Sequence, residues 1–94
     1  MLKTLNPILH TPLRLAIVSL LVNGAEAEFN QLKESTGATA GNLSVQINTL
    51  RDSGYIVVEK HLNNSYPRTV CRISPAGNAA FDDYVSSLKS YFRQ

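Results

Sequence analysis

Small polar side chains between residues 39 and 49 are the groups in this sequence best suited to recognise a partner. Hydroxyl and amide groups recur there around a single valine, at Thr39, Asn42, Ser44, Val45, Asn48 and Thr49. An asparagine amide can form two hydrogen bonds with an adenine edge, and a valine can contact a thymine methyl group. Hydroxyl groups and free N–H groups at a helix N-terminus suit phosphate oxygens. The predicted chemistry is therefore hydrogen bonding and methyl contact; the alternative is a set of side chains that simply face solvent.

One helix is predicted to position these side chains. Thr39 is a favourable N-cap, and Gly54 can take the left-handed conformation that ends a helix. Apolar residues recur on one side at helical spacing, at Leu43, Ile47 and Leu50. That side is expected to be buried, which leaves Val45 and Asn48 on the opposite side. Thr39 has a second interpretation, in which the cap uses its hydroxyl fully.

A shorter helix precedes this one and completes a predicted helix-turn-helix over residues 30–54. Residues 25–29 are expected to form a short edge strand. Asn30 is the expected N-cap of the short helix, Leu32 its buried residue, and Gly37 its end. Two helices joined by a turn of about three residues form the motif whose second helix usually lies in the DNA major groove.

The residues after Gly54 predict a β-hairpin over residues 55–73, which we call the wing. Residues 55–62 and 68–73 are rich in β-branched and aromatic side chains, and residues 63–67 have the composition of a turn. The candidate contacts to the DNA backbone on the wing are Lys60, Asn63, Asn64, Ser65 and Arg68. For Arg68, an ion pair with Glu59 across the hairpin is an equally open alternative.

The first helix is predicted to run from Pro12 to about Val22. A proline fits the first turn, and the Asn-Gly pair at residues 23–24 stops the helix. Its expected core residues are Leu13, Ile17, Leu20 and Leu21. The apolar run and the triplet at residues 25–27 imitate a secretory signal, but prolines precede the run and Arg14 interrupts its start. A buried helix is preferred, because a membrane-spanning segment needs about 20 apolar residues.

Residues 74–94 are predicted to form a last helix that closes the core. Ser74 is a suitable N-cap and Pro75 a suitable first residue. Apolar and aromatic side chains then recur at near-heptad spacing. We expect this stripe both to close the core and to meet a second subunit, and core packing alone is the alternative. The expected dimerisation residues are Leu2, Leu5, Phe81, Tyr84, Val85, Leu88, Tyr91 and Phe92.

Composition predicts one small folded domain, residues 1–94, without a catalytic or metal-binding set. Hydrophobic residues make up 44% of the chain, charged residues 17%, and the formal net charge is +2. The single cysteine, Cys71, suits a reducing cytoplasm; it is expected in the core, with a redox switch as the alternative. His10 and His61 belong to no Cys/His cluster. We therefore expect no enzyme activity, no metal and no cofactor.

The ordered set of motifs resembles the short, stand-alone winged helix-turn-helix transcriptional regulators related to the MarR group. The matching segments cover nearly the whole chain and are residues 12–17, 29–32, 41–44, 50–56, 68–69 and 73–77. The resemblance implies an α+β, mainly helical fold with a three-helix core, a β-hairpin wing and a C-terminal dimerisation helix. It also implies a cytoplasmic, nucleoid-associated homodimer that binds double-stranded DNA at a pseudo-palindromic operator, with repression as the favoured outcome. By the same resemblance, Thr39 and residues 42–49 match the groove helix, and residues 63–68 match the wing.

Weak charge on the groove helix keeps a second function open. Many relatives carry lysine or arginine on that face, where this sequence has Val45, Asn48 and Thr49. Because phosphate neutralisation supplies most non-specific affinity, tight binding is expected to need two copies of the chain. The alternative is a winged helix that binds proteins without specific DNA binding. An unidentified small-molecule effector would have to bind between the terminal helices and the helix-turn-helix.

Overall fold

The computed structural model describes residues 3–63 and 66–92, which contain four α-helices, two short 3-10 helices at Val22–Gly24 and Ser90–Phe92, and a three-stranded antiparallel sheet. The helices are α1 (Pro12–Leu21), α2 (Phe29–Thr36), α3 (Ala40–Asp52) and α4 (Pro75–Lys89). The strands are β1 (Glu26–Glu28), β2 (Ile56–Asn63) and β3 (Tyr66–Ile73). This order of elements is the predicted α+β, mainly helical winged helix, with the β2–β3 hairpin as its wing.

Helix α1 begins at Pro12 as predicted, but its buried face differs by one residue from the expected one. Ile17 and Leu21 lie in the core, whereas Leu20 is 43% exposed and Val18 is buried in its place. At 100° per residue, Ile17, Val18 and Leu21 share the side of the helix that faces the core, and Leu20 lies at the edge of that side. The prediction of Leu20 as a core residue is therefore wrong.

Helix α2 starts two residues earlier than predicted. Glu28, the last residue of β1, is its N-cap, and Gln31 closes a capping box by accepting a hydrogen bond from the Glu28 N–H at 2.7 Å. Asn30 is therefore inside the helix, and its prediction as the N-cap is wrong. The chain passes directly from strand to helix, so the cap falls on the strand's last residue. Gly37 ends α2 at φ 71°, as predicted.

Helix α3 has the caps and the buried face that the sequence predicts. The Thr39 hydroxyl accepts a hydrogen bond from the Asn42 N–H at 3.2 Å. Gly54 follows the helix at φ 81°, a conformation that a side chain would disfavour. The buried residues of α3 are Leu43, Ile47 and Leu50.

The sheet has the strand order β1-β3-β2, which places β1 at an edge, as predicted. In the wing, the strands extend to the Asn63–Tyr66 pair, so the predicted turn over residues 63–67 is too long. Residues 64–65, between the strands, lie outside the described residues. Cys71 is buried in β3, and burial raises the pKa of its thiol above the usual value. The predicted core position of Cys71 is confirmed.

Helix α4 packs along the N-terminal segment. Its N-cap is Ser74, whose hydroxyl accepts a hydrogen bond from the Gly77 N–H at 2.9 Å. Further along, the hydroxyl of Tyr84 lies 2.9 Å from Nδ1 of His10, and the hydroxyl of Tyr91 donates to the Lys3 carbonyl at 2.9 Å. Tyr84 is buried in the core, as expected of a stripe that closes the core, and its contact with a second subunit stays a prediction.

Candidate nucleic-acid interface

The outward face of α3 is uncovered in the described part of the chain. Val45 lies near its centre and is 58% exposed, and Asn42, Ser44 and Asn48 are also exposed. These side chains share one face because the opposite face is held in the core. The helix therefore presents amide, hydroxyl and methyl groups together, with no charged side chain between them.

Two hydroxyls on α3 already have local partners. The Thr39 hydroxyl accepts the capping hydrogen bond, and its hydrogen is still able to donate, so the cap alone does not use the hydroxyl fully. Thr49 is half-buried, and its hydroxyl donates to the Val45 carbonyl at 3.1 Å. Each of them retains only part of its hydrogen-bonding capacity for a partner.

A groove of ≈ 410 Å³ separates α3 from the wing. Its polar lining brings together side chains from both elements, namely Ser44, Asn48, Arg51, Lys60 and Thr69. Arg51 of α3 therefore adds a cation beside Asn48. Its only ion pair in the described residues is with the adjacent, exposed Asp52 at 3.3 Å, and exposed pairs of this kind contribute little.

The two faces of the wing carry different side chains. Directly opposed residues point to the same face, so Lys60 and Thr69 form one pair on the α3 side, and Leu62 and Pro67 form the next. Leu62 is 86% exposed at the outer end of the wing. The sequence had not singled out Leu62, because its exposure depends on the register of the hairpin.

Arg68 lies on the face of the sheet that points away from α3, where it is paired across the strands with His61. Its guanidinium is 3.2 Å from the Glu28 carboxylate of β1, and Glu59 pairs instead with Arg72. The alternative for Arg68, an ion pair with Glu59, is therefore wrong. The reason is the register: β3 lies between β1 and β2, so its arginines meet glutamates of both neighbours.

The remaining wing candidates are placed only in part. Lys60 is exposed on the face toward α3. Asn63 ends β2. Asn64 and Ser65 lie outside the described residues, so their predicted role at the wing tip stays a prediction.

No metal cluster is found among the described residues, where no group of three or more His, Cys, Asp or Glu side chains is placed to hold an ion. A membrane-spanning helix is likewise absent from residues 3–63 and 66–92, since no helix there is both long enough and apolar enough.

Comparison with known proteins assigns the family. A protein from Methanocaldococcus jannaschii is 31% identical over 81 residues, which is 86% of this chain and 88% of that protein. A transcriptional regulator homologue from Pyrococcus horikoshii has a similar structure, with a TM-score of 0.84 and 33% identity over 90% of this chain and 84% of that one. PadR from Bacillus subtilis, solved in complex with operator DNA, shares the fold, with a TM-score of 0.69 and 17% identity over 87% of this chain and 60% of that one. Residues 13–92 match the family described as a winged helix DNA-binding domain, and the chain belongs to that family.

Proposed function

We propose that this protein is a sequence-specific transcriptional regulator of the MarR-like type that binds a pseudo-palindromic operator as a homodimer, with repression as its favoured effect. In this proposal it acts in the cytoplasm on double-stranded DNA. The observation that carries the proposal is the uncovered face of α3, where Val45 and Asn48 stand beside the groove that contains Arg51 and Lys60. A helix with this composition suits the major groove, and the adjacent cations suit phosphates.

Each exposed group has a defined role in the proposal. Asn48 pairs with an adenine edge and Val45 contacts a thymine methyl group. The residues proposed to contact the phosphates at the edges of the DNA grooves are Thr39, Asn42, Ser44, Thr49, Lys60, Asn63, Asn64 and Ser65. Arg68 supports the wing through Glu28 instead of contacting DNA, because its side chain lies on the opposite face. PadR, the relative solved with operator DNA, supports this use of the fold.

Binding should depend on salt through a small number of phosphate contacts. On a duplex selected from a random pool, we expect affinity to fall as salt rises, and Lys60→Ala to reduce the slope of log affinity against log salt by about 1. Fluorescence anisotropy over a salt series measures this slope. Lys89→Ala on α4 is the matched control, with an expected slope like that of the unmodified protein. Affinity that hardly changes with salt would instead favour the protein-binding alternative.

The homodimer is supported by apolar side chains that are left uncovered along α4 and just after it. Phe92 is 77% exposed, and Phe81, Val85 and Leu88 are only partly buried. A small domain gains stability by covering such area against a second copy. Leu5 packs on the core nearby, and Leu2 lies outside the described residues.

Replacing Phe92 by aspartate should shift the protein from dimer to monomer, because a charge would be buried in the interface. Sedimentation velocity measures the mass. Leu62→Asp is the matched control, since Leu62 is similarly exposed but lies at the far end of the wing, and it should leave the mass unchanged. A monomeric unmodified protein at micromolar concentration would contradict the dimer.

A further inference from the structure

Arg14 links the N-terminal segment to α3. Its Nε donates to the Ile8 carbonyl at 2.6 Å, and its Nη2 donates to the Thr11 hydroxyl at 2.7 Å. These two bonds fix the plane of the guanidinium. The remaining arm, Nη1, donates to Oε1 of Gln46 on α3 at 2.6 Å.

This contact determines which way the Gln46 amide points. An arginine has donors only, so it must face the oxygen of the amide and not its nitrogen. The Gln46 nitrogen is then directed along the helix, where it donates to Oδ1 of Asn42 at 3.1 Å. The oxygen of Asn42 is therefore occupied, and its NH₂ group is the part left to face outward.

We infer that Arg14 and Gln46 are positioning residues that hold Asn42 as a hydrogen-bond donor toward a DNA phosphate oxygen. The inference rests on the proposed function, because it specifies how one residue of that interface is oriented. Phosphate oxygens only accept hydrogen bonds, so an asparagine that presents its oxygen would be repelled. The hydrogen bonds from Arg14 to Gln46 and from Gln46 to Asn42 form a relay. This relay fixes the orientation of Asn42 before DNA binds, which avoids the entropic cost of ordering the side chain on binding.

Gln46→Glu tests the relay because it reverses the orientation of Asn42. A carboxylate at position 46 accepts from Arg14 and also accepts from Asn42, so Asn42 must turn its NH₂ inward and its oxygen outward. Arg14 itself is left unchanged, because it also holds the N-terminal turn.

The first measurement uses the free protein. We expect NMR to show that the side-chain amide protons of Asn42 exchange with water more slowly in Gln46→Glu than in the unmodified protein, because one of them becomes hydrogen-bonded. Gln46→Met, which removes both bonds, is the control and should show fast exchange. Equal exchange in Gln46→Glu and the unmodified protein would overturn the inference, whether or not the protein binds DNA.

The second measurement is a double-mutant cycle on duplex binding. Gln46→Glu should weaken affinity about tenfold in the unmodified background. In the Asn42→Ala background it should have an effect of less than about twofold, because the group on which it acts is missing. An equal loss in both backgrounds would show simple charge repulsion and overturn the inference. The loss should also be uniform across operator variants, and a loss confined to one base pair would overturn the phosphate assignment. If the unmodified protein binds no duplex, the proposed function fails, and the exchange measurement still decides the orientation.

Discussion

The Val45→Asp variant is expected to keep its fold and to lose DNA affinity by at least about 100-fold, since like charges brought together at an interface cost several kcal/mol. Val45 is 58% exposed near the centre of the face that α3 presents, so a polar residue is tolerated there in the free protein. In the proposed complex the new carboxylate would lie in the major groove among phosphates. Circular dichroism checks the fold, and fluorescence anisotropy on the selected duplex checks the affinity.

Two control variants separate position from charge. Asn78→Asp adds the same charge isosterically at an exposed position on α4, outside the proposed interface. Its affinity should remain within about twofold of that of the unmodified protein, because salt screens exposed charges. Val45→Thr keeps the shape without a charge and should have a small effect. If Val45→Asp and Asn78→Asp weaken binding equally, α3 is not the element that enters the groove.

Gly77→Ala should lower the free energy of unfolding by about 2–3 kcal/mol, because overpacking a closed contact forces the surrounding structure to shift. A Cβ at this position would lie 2.1 Å from the Tyr55 carbonyl oxygen and 2.8 Å from Cγ1 of Ile73. The Tyr55 carbonyl cannot shift away without losing a hydrogen bond, because its oxygen accepts one from the Ser74 N–H at 3.0 Å. The start of α4 would therefore separate from the base of the wing.

Urea unfolding at one fixed protein concentration measures this loss, since a dimer's stability depends on concentration. Gly41→Ala is the matched control, because it lies in α3 with no atom within 4 Å of the added Cβ. It should raise stability by about 0.5 kcal/mol through helix propensity. A Gly77→Ala variant as stable as the unmodified protein would mean that α4 does not approach Tyr55 closely.

The local elements were predictable because each has its signal within a few residues. The caps at Thr39 and Ser74 and the helix end at Gly37 depend on hydrogen bonds and backbone conformations inside one turn. The buried face of α3 follows from the helical period alone. At Leu20 one member of the predicted buried face is replaced by Val18, and at Asn30 the N-cap lies two residues earlier than predicted, because the packing of neighbouring elements overrode the local pattern.

The candidate site divides in the same way. The order of elements and the small, uncharged composition of the α3 face could be read from residue types and their spacing. The pairing of Arg68 with Glu28 across β1 and β3, and the hydrogen bond from Arg14 to Gln46, 32 positions along the chain, emerge only in the folded protein. These contacts join segments distant in the chain, and they depend on strand register and helix packing. Many residues determine that geometry together, so it could not be predicted from any short stretch of sequence.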